Sequence, residues 1–378
     1  MDFHYSEEQA ALADTLRRFI ARDYGFERRR ALARTALGFS EQAWHTYAEL
    51  GLLALPFPAR HGGLEGSAVE VMIVMEQVGR GLLLEPYLSS IVLCGGLIRD
   101  AAPEAMQASL LPMIAAGRCK LALAAHEPDG RYELQRVSTR AVPSQDGWRL
   151  SGRKCVVLDG PSADFFIVSA QLAAPGACRA EGLALFLVPR AAAGVTVLAY
   201  PTQSGGRAAD VALADVQVEN GALIAPAHSG GAALERAVDR ALAALCAETL
   251  GIVATLNVAT LQYLKTRRQF GVPIGTFQAL QHRMVDMYIA EEQVRSMAIA
   301  AAMQADSDDA AGRGRAVAGA KAYIGEASRF VGQQAIQMHG AMGLVEECEV
   351  SHYFKRLTMI DMTFGDADFQ LGRFSDSI

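Results

Sequence analysis

Few residues in this 378-residue chain combine a reactive side chain with a setting that could make it work. Glu248 interrupts the small and apolar run from Ala241 to Leu264. A glutamate buried there with a raised pKa could take a proton; one bonded inside a helical bundle would only hold helices together. Arg267 and Arg268 follow side by side. A planar guanidinium suits phosphate oxygens, and a solvated cation is the alternative. For His339 the default is a packed or hydrogen-bonded imidazole. The six cysteines (Cys94, Cys119, Cys155, Cys178, Cys246, Cys348) contain no Cys-x-x-Cys pair. No metal centre is expected from them, and they read as buried free thiols.

These groups must be positioned by a large fold. Half the residues are hydrophobic (51%), enough for a sizeable core and two or three domains. A net charge of −6 with no Lys/Arg block argues against nucleic acid or an anionic membrane surface. Met1-Asp2-Phe3-His4 lacks the basic and apolar regions of a signal peptide, and no uninterrupted apolar stretch approaches a membrane span, so a cytoplasmic location is expected.

Residues 1–118 read as helical, opened by a capping box at Ser6-Glu7-Glu8-Gln9 with Leu12, Leu16 and Phe19 behind it. Helices are also expected through Trp44, Tyr47 and Leu50, and from Val69 to Val78. Residues 119–230 carry short β-branched and aromatic runs: Leu134–Ala141, Trp148–Leu158, Phe165–Ala170, Leu183–Val188, Val195–Tyr200 and Val211–Val218. Asp146-Gly147 supplies a turn, and the spacing suggests an antiparallel barrel or sandwich. Residues 231–378 return to helices, with Phe277, Leu280, Met284, Met287 and Val294 on one stripe and Ala305–Gly314 as a loop. Helices from Arg315 to Met338 and from Val350 to Met359 complete what a four-helix bundle needs. The fold class is therefore α+β multidomain: an all-α start, a middle β domain and a C-terminal bundle.

Three motifs raise a resemblance over essentially the whole chain. Arg267-Arg268-Gln269-Phe270-Gly271, Gln337-Met338-His339-Gly340-Ala341-Met342-Gly343 and Met362-Thr363-Phe364-Gly365-Asp366 resemble the C-terminal domain of acyl-CoA dehydrogenases. Glu49-Leu50-Gly51-Leu52-Leu53 and Glu76-Gln77-Val78-Gly79-Arg80 resemble that family's N-terminal helices. The resemblance implies FAD held across a subunit interface, and the half that one subunit lends to its neighbour is largely present. Arg267 matches the arginine on the pyrophosphate. Phe270, Ile274 and Gln278 match the adenine-side positions. Gln337 and Gly340 match residues that let backbone approach the dinucleotide, with Ala341 where a second glycine often stands.

The half that would host the flavin departs. Ala125-His126-Glu127-Pro128-Asp129-Gly130-Arg131 stands where the family has Thr-Glu-Pro-Gly-x-x-Ser; a polar flavin contact is the minority reading of His126 there. Lys154-Cys155-Val156-Val157-Leu158 replaces Lys-x-Trp-Ile-Thr/Ser. Asp366 replaces a pyrophosphate-contacting threonine, and a carboxylate there repels phosphate. The catalytic glutamate position is Phe364, which cannot accept the α-proton that dehydrogenation must remove; its backbone N–H could still bond the thioester carbonyl. The alternative base position on the first bundle helix falls at Ala241, between Arg240 and Leu242.

Three readings follow. The chain is the base-lacking small subunit of a heteromeric (α2β2) acyl-CoA dehydrogenase, of the pimeloyl-CoA or steroid side-chain type, lending its clamp to FAD in a paralogue. Or it is an active homotetramer with a relocated base, Glu248 or Asp366. Or it is a non-enzymatic scaffold or acyl-CoA binder. The implied partners are an acyl-CoA substrate and an electron-transferring flavoprotein.

Overall fold

In this computed structural model residues 5–172 and 182–377 are described; Met1 to His4 and Cys178 lie outside them. Ser6 opens the first helix, α1 (Glu7–Asp23), with the expected reciprocal cap: Gln9 N–H donates to Ser6 Oγ at 3.2 Å and Ser6 N–H to Gln9 Oε1 at 3.0 Å. There follow α2 (Phe26–Ala33), α3 (Glu41–Glu49), α4 (Ala68–Gly81), a π-helical stretch over Tyr87–Gly95, α5 (Gly96–Ala101) and α6 (Glu104–Ala115).

The middle region forms one sheet from β1 (Leu121–Ala124), β2 (Arg140–Ser144), β3 (Gly147–Leu158), β4 (Phe165–Leu172), β5 (Leu183–Pro189), β6 (Val195–Pro201), β7 (Arg207–Glu219) and β8 (Leu223–Ala225). Their order is β6-β7-β3-β2-β4-β5-β8, with β1 on β4. Most ladders are antiparallel, while β4 pairs in parallel with both β1 and β2. Leu150, Phe166, Phe186 and Val211 fill the core. The Asp146-Gly147 turn joins β2 to β3, with Ser144 opposite Gly147. The expected strand Leu134–Ala141 is corrected: regular strand begins only at Arg140. The Ser138 and Thr139 amides donate to the Glu127 carboxylate rather than to a neighbouring strand.

The C-terminal region contains α7 (Gly230–Thr266), a hairpin of β9 (Arg268–Gln269) and β10 (Val272–Pro273), then α8 (Gln278–Ala305), α9 (Ala310–His339), α10 (Glu349–Met362) and α11 (Ala367–Ser375). The loop expected over 305–314 closes at Asp309, whose carboxylate accepts from Gly312 N–H at 3.1 Å and starts α9 early. The expected apolar stripe is buried at Met287 and Val294, but Phe277 at its start is exposed, and the buried face is continued by Ala290, Ala298, Ala301 and Ala305. α7 is the one described helix long and apolar enough to cross a bilayer, and 89% of its apolar window is buried inside the protein.

The chain divides into two compact units, Met1–Ala31 with Ala68–Leu83 and Leu242–Ile378, and Leu32–Ser67 with Leu84–Ala241. In the first, α4 and α7 cross backbone to backbone. A Cβ on Gly79 would lie 2.0 Å from the Glu248 carbonyl oxygen, and one on Gly251 would lie 1.9 Å from that of Glu76. This crossing fixes the height of Glu248 in the bundle.

Candidate functional site

Glu248 is 2% exposed. Arg356 on α10 meets it fork to fork, Nε to Oε1 at 2.5 Å and Nη2 to Oε2 at 2.7 Å. Both carboxylate oxygens are thus engaged, the geometry of a tie between helices. Ala241, the alternative base position, is a buried methyl. Asp366 caps α11, accepting from Phe369 N–H at 3.0 Å. Neither candidate carboxylate stands free of an internal role.

Phe364 is 6% exposed and left-handed at φ 56°, followed by Gly365 at φ 110°. That conformation costs an L-residue roughly 1–2 kcal/mol, so surrounding contacts must hold the turn.

The residues expected to form the clamp come together at one end of the first unit. Arg267 follows the last turn of α7 and is exposed. Its carbonyl accepts from Ile274 N–H at 2.9 Å, closing the hairpin. Phe270 at the hairpin tip is 91% exposed, with φ 54° and only an edge contact to Phe277 at 6.1 Å. Ile274 is half-buried, and Gln278 is exposed as the first residue of α8. The end of α9 is held beside them: His339 stacks on Tyr263 with centroids 4.4 Å apart and bonds Ala335 O at 2.8 Å, the packed role expected of it. Gln337, Gly340 and Ala341 are exposed there, and nothing lies within 4 Å of where a Gly340 Cβ would be. This surface presents an exposed cation, open backbone at a glycine and an aromatic ring in water. Beside it, a groove of about 780 Å³ runs between α7 and α8, lined by Val258, Leu261, Met284, Val285 and Tyr288.

In the second unit a buried ion pair organises the loop after β1. Lys154 Nζ, fully buried, donates to Glu127 Oε1 at 2.8 Å and Ser169 Oγ at 2.9 Å. Glu127 also accepts from the amides and hydroxyls of Ser138 and Thr139. Burial alone would raise Glu127, but the donors from Lys154, Ser138 and Thr139 outweigh it and bring the pKa down to about 2. Burial pulls Lys154 down to about 8, so both stay charged at neutral pH. Burial, then the Lys154 charge, lowers His126 to about 4, keeping it neutral. His126 O accepts from Cys155 N–H, and Val156 next to it is left-handed and 48% exposed, at a bulge in the β3–β7 register. Cys94, Cys119 and Cys246 are buried free thiols, while Cys155 and Cys348 are only partly buried.

Because the folded Glu127 pKa is depressed, its contribution to stability is complete above its ordinary value of 4.5 and is lost as pH falls toward 2. Lys154→Met removes the cation that opposes desolvation. Acid unfolding, followed by circular dichroism, then moves to higher pH, with a loss of about 3–5 kcal/mol at pH 7.

Sequence reasoning assigned no role to Lys154, Arg356, Lys321 or Gln370, all structurally central. For Lys154, Arg356 and Lys321 the available signal was a cation beside apolar residues, and Gln370 gave none.

Helices, one mostly antiparallel sheet, then long helices define the expected architecture, and comparison with known proteins agrees. Residues 6–118, 122–220 and 228–378 match the N-terminal, middle and C-terminal domains of acyl-CoA dehydrogenases. The chain belongs to the acyl-CoA dehydrogenase family, whose members are oxidoreductases acting on CH–CH bonds. Acyl-CoA dehydrogenase FadE27 of Mycobacterium tuberculosis is 29% identical, covering 99% of this chain and 97% of the relative. A solved variant of the Tcur3481-Tcur3483 steroid ACAD is 30% identical with a TM-score of 0.87, over 98% of this chain and 97% of that one. The ChsE4-ChsE5 complex from Mycobacterium tuberculosis contains a chain 26% identical with a TM-score of 0.88, over 100% of this chain and 98% of that one.

Proposed function

We propose that this chain serves FAD-dependent α,β-dehydrogenation of an acyl-CoA thioester as the base-lacking subunit of a heteromeric enzyme. The observation that carries the reading is an asymmetry. The hairpin and the end of α9 present an exposed arginine, an exposed phenyl ring and open glycine backbone, while the turn that would carry the base holds Phe364, Glu248 is tied to Arg356 and Asp366 is a cap. Likeness to a steroid ACAD of two-part name and to the ChsE4-ChsE5 complex supports the heteromer, and the first of these supports a steroid acyl group.

In this reading Arg267 binds pyrophosphate, Phe270, Ile274 and Gln278 line the adenine side, and Gln337, Gly340 and Ala341 offer open backbone, all to FAD housed in a paralogue. Bound flavin supplies the hydride acceptor, and a carboxylate of the partner takes the α-proton. An electron-transferring flavoprotein is the oxidant. The Phe364 N–H remains a seat for a thioester carbonyl. The sequence divides into functional segments at 1–118, 119–230 and 231–378.

The test is visible flavin absorbance of the purified chain, alone and co-expressed with a paralogous partner. Colour and acyl-CoA dehydrogenation only in the pair are expected. Stoichiometric flavin and turnover in the chain alone would establish the homotetramer with a relocated base, and no colour in either would leave a scaffold.

A further inference from the structure

We infer that Lys321 is a positioning residue, holding the Phe364–Gly365 turn in the left-handed form that aims the Phe364 N–H at an acyl-CoA thioester carbonyl. This rests on the reading of that turn given above and adds the residue that shapes it.

Lys321 lies on α9 and is fully buried. Its Nζ donates to two backbone carbonyls, Asp361 O at 2.8 Å and Gly365 O at 3.0 Å. Gln370, also fully buried, donates from Nε2 to Phe364 O at 2.7 Å. Two consecutive carbonyls of the turn are therefore drawn inward by separate donors. A trans peptide is planar, so fixing a carbonyl fixes the N–H across the same bond on the opposite side. The Phe364 N–H belongs to the Thr363–Phe364 peptide, which lies between anchored neighbours: the Thr363 N–H donates to Ile360 O at 3.1 Å before it, and Phe364 O and Gly365 O are held after it, so its direction is set from both sides.

The surrounding packing is fitted to this arrangement. A Cβ on Gly365 would lie 2.3 Å from Phe369 Cδ1 and 2.7 Å from Gln370 Nε2. A Cβ on Gly325, one turn beyond Lys321, would lie 2.4 Å from Asp361 Oδ1. The glycine lets α9 come close enough to the end of α10 for the ammonium to reach both carbonyls. Burial lowers the lysine pKa, while Cys246, Asp361 and Asp366 oppose that shift.

The competing account is a simple helix cap. Asp361 O belongs to the last turn of α10, where a cation is favourable whatever the turn does next. A cap affects stability alone, whereas a positioning residue affects which ligand the turn prefers.

Lys321→Met keeps length and removes the donors. The experiment compares binding of hexanoyl-CoA with that of S-hexyl-CoA, which lacks the carbonyl, by calorimetry on the chain and on its co-expressed assembly. Amide hydrogen exchange is read over residues 362–370. The expected result is faster exchange confined to the turn and a loss of hexanoyl-CoA affinity of about tenfold, the value of one hydrogen bond. S-hexyl-CoA affinity should change by less than about twofold, because a ligand with no carbonyl has no hydrogen bond to lose when the N–H turns away. Equal losses for both ligands, or unchanged exchange at the turn, overturn the inference in favour of a cap. If Lys321→Met does not fold, Gln370→Met removes the other anchor and must show the same thioester-selective loss; its absence overturns the inference as well. A wild-type protein that binds the two ligands alike overturns the thioester seat itself, a result obtained before any variant is made.

Discussion

Replacing Arg356 with methionine is expected to destabilise the helical unit by about 3–5 kcal/mol, the usual cost of leaving one partner of a buried ion pair uncompensated. Glu248 is 2% exposed and both its oxygens are bonded to that guanidinium. The Gly79–Gly251 backbone crossing leaves the helix no freedom to carry the carboxylate toward solvent. Chemical unfolding gives the number, and the double variant with Glu248→Met and Arg356→Met provides the control. Replacing a buried pair with well-packed apolar residues is often neutral, so the double variant should recover most of the loss. A cost below about 1 kcal/mol for Arg356→Met, the level of an exposed pair, would show that Glu248 does not depend on its partner and return it to candidacy as a base.

The second large effect is on flavin, not stability. Arg267→Met in the co-expressed pair should lower flavin occupancy by more than about tenfold, because a charge-assisted bond to phosphate is worth roughly 1.5–3 kcal/mol. Phe270→Ser should act in the same direction. A phenyl ring 91% exposed at a hairpin tip has its burial still to gain, about 1.5–3 kcal/mol if a partner covers it. Neither side chain supports the isolated fold, so the thermal midpoint of the chain alone should hold, as for surface changes within about 0.5 kcal/mol. The ratio of flavin to protein absorbance after gel filtration measures the outcome. Full retention in both variants would remove the β9–β10 hairpin from the cofactor site.

Much of the fold was legible because its signals are local. The Ser6–Gln9 box, the Asp146-Gly147 turn and most strands need only neighbours in sequence, and each formed as expected. The misreadings have local competitors too. Asp309 started α9 inside the expected loop, and Glu127 drew the backbone of Ser138 and Thr139 away from strand pairing. The start of the α8 stripe looked like core by period alone, but periodicity does not say which neighbour covers a face, and Phe277 is left exposed.

Residue types and short-range spacing thus determined the order of helices and strands, the family, and the absence of a carboxylate at position 364. Tertiary structure alone decided what each remaining polar group does. Arg356 finds Glu248 across 108 positions, Lys321 reaches Gly365 across 44, and Lys154 meets Glu127 across 27. Whether a buried charge is a catalyst or a brace depends on which donor the packing brings within 3 Å of it. That distance is set by how helices and strands cross, which no local pattern encodes.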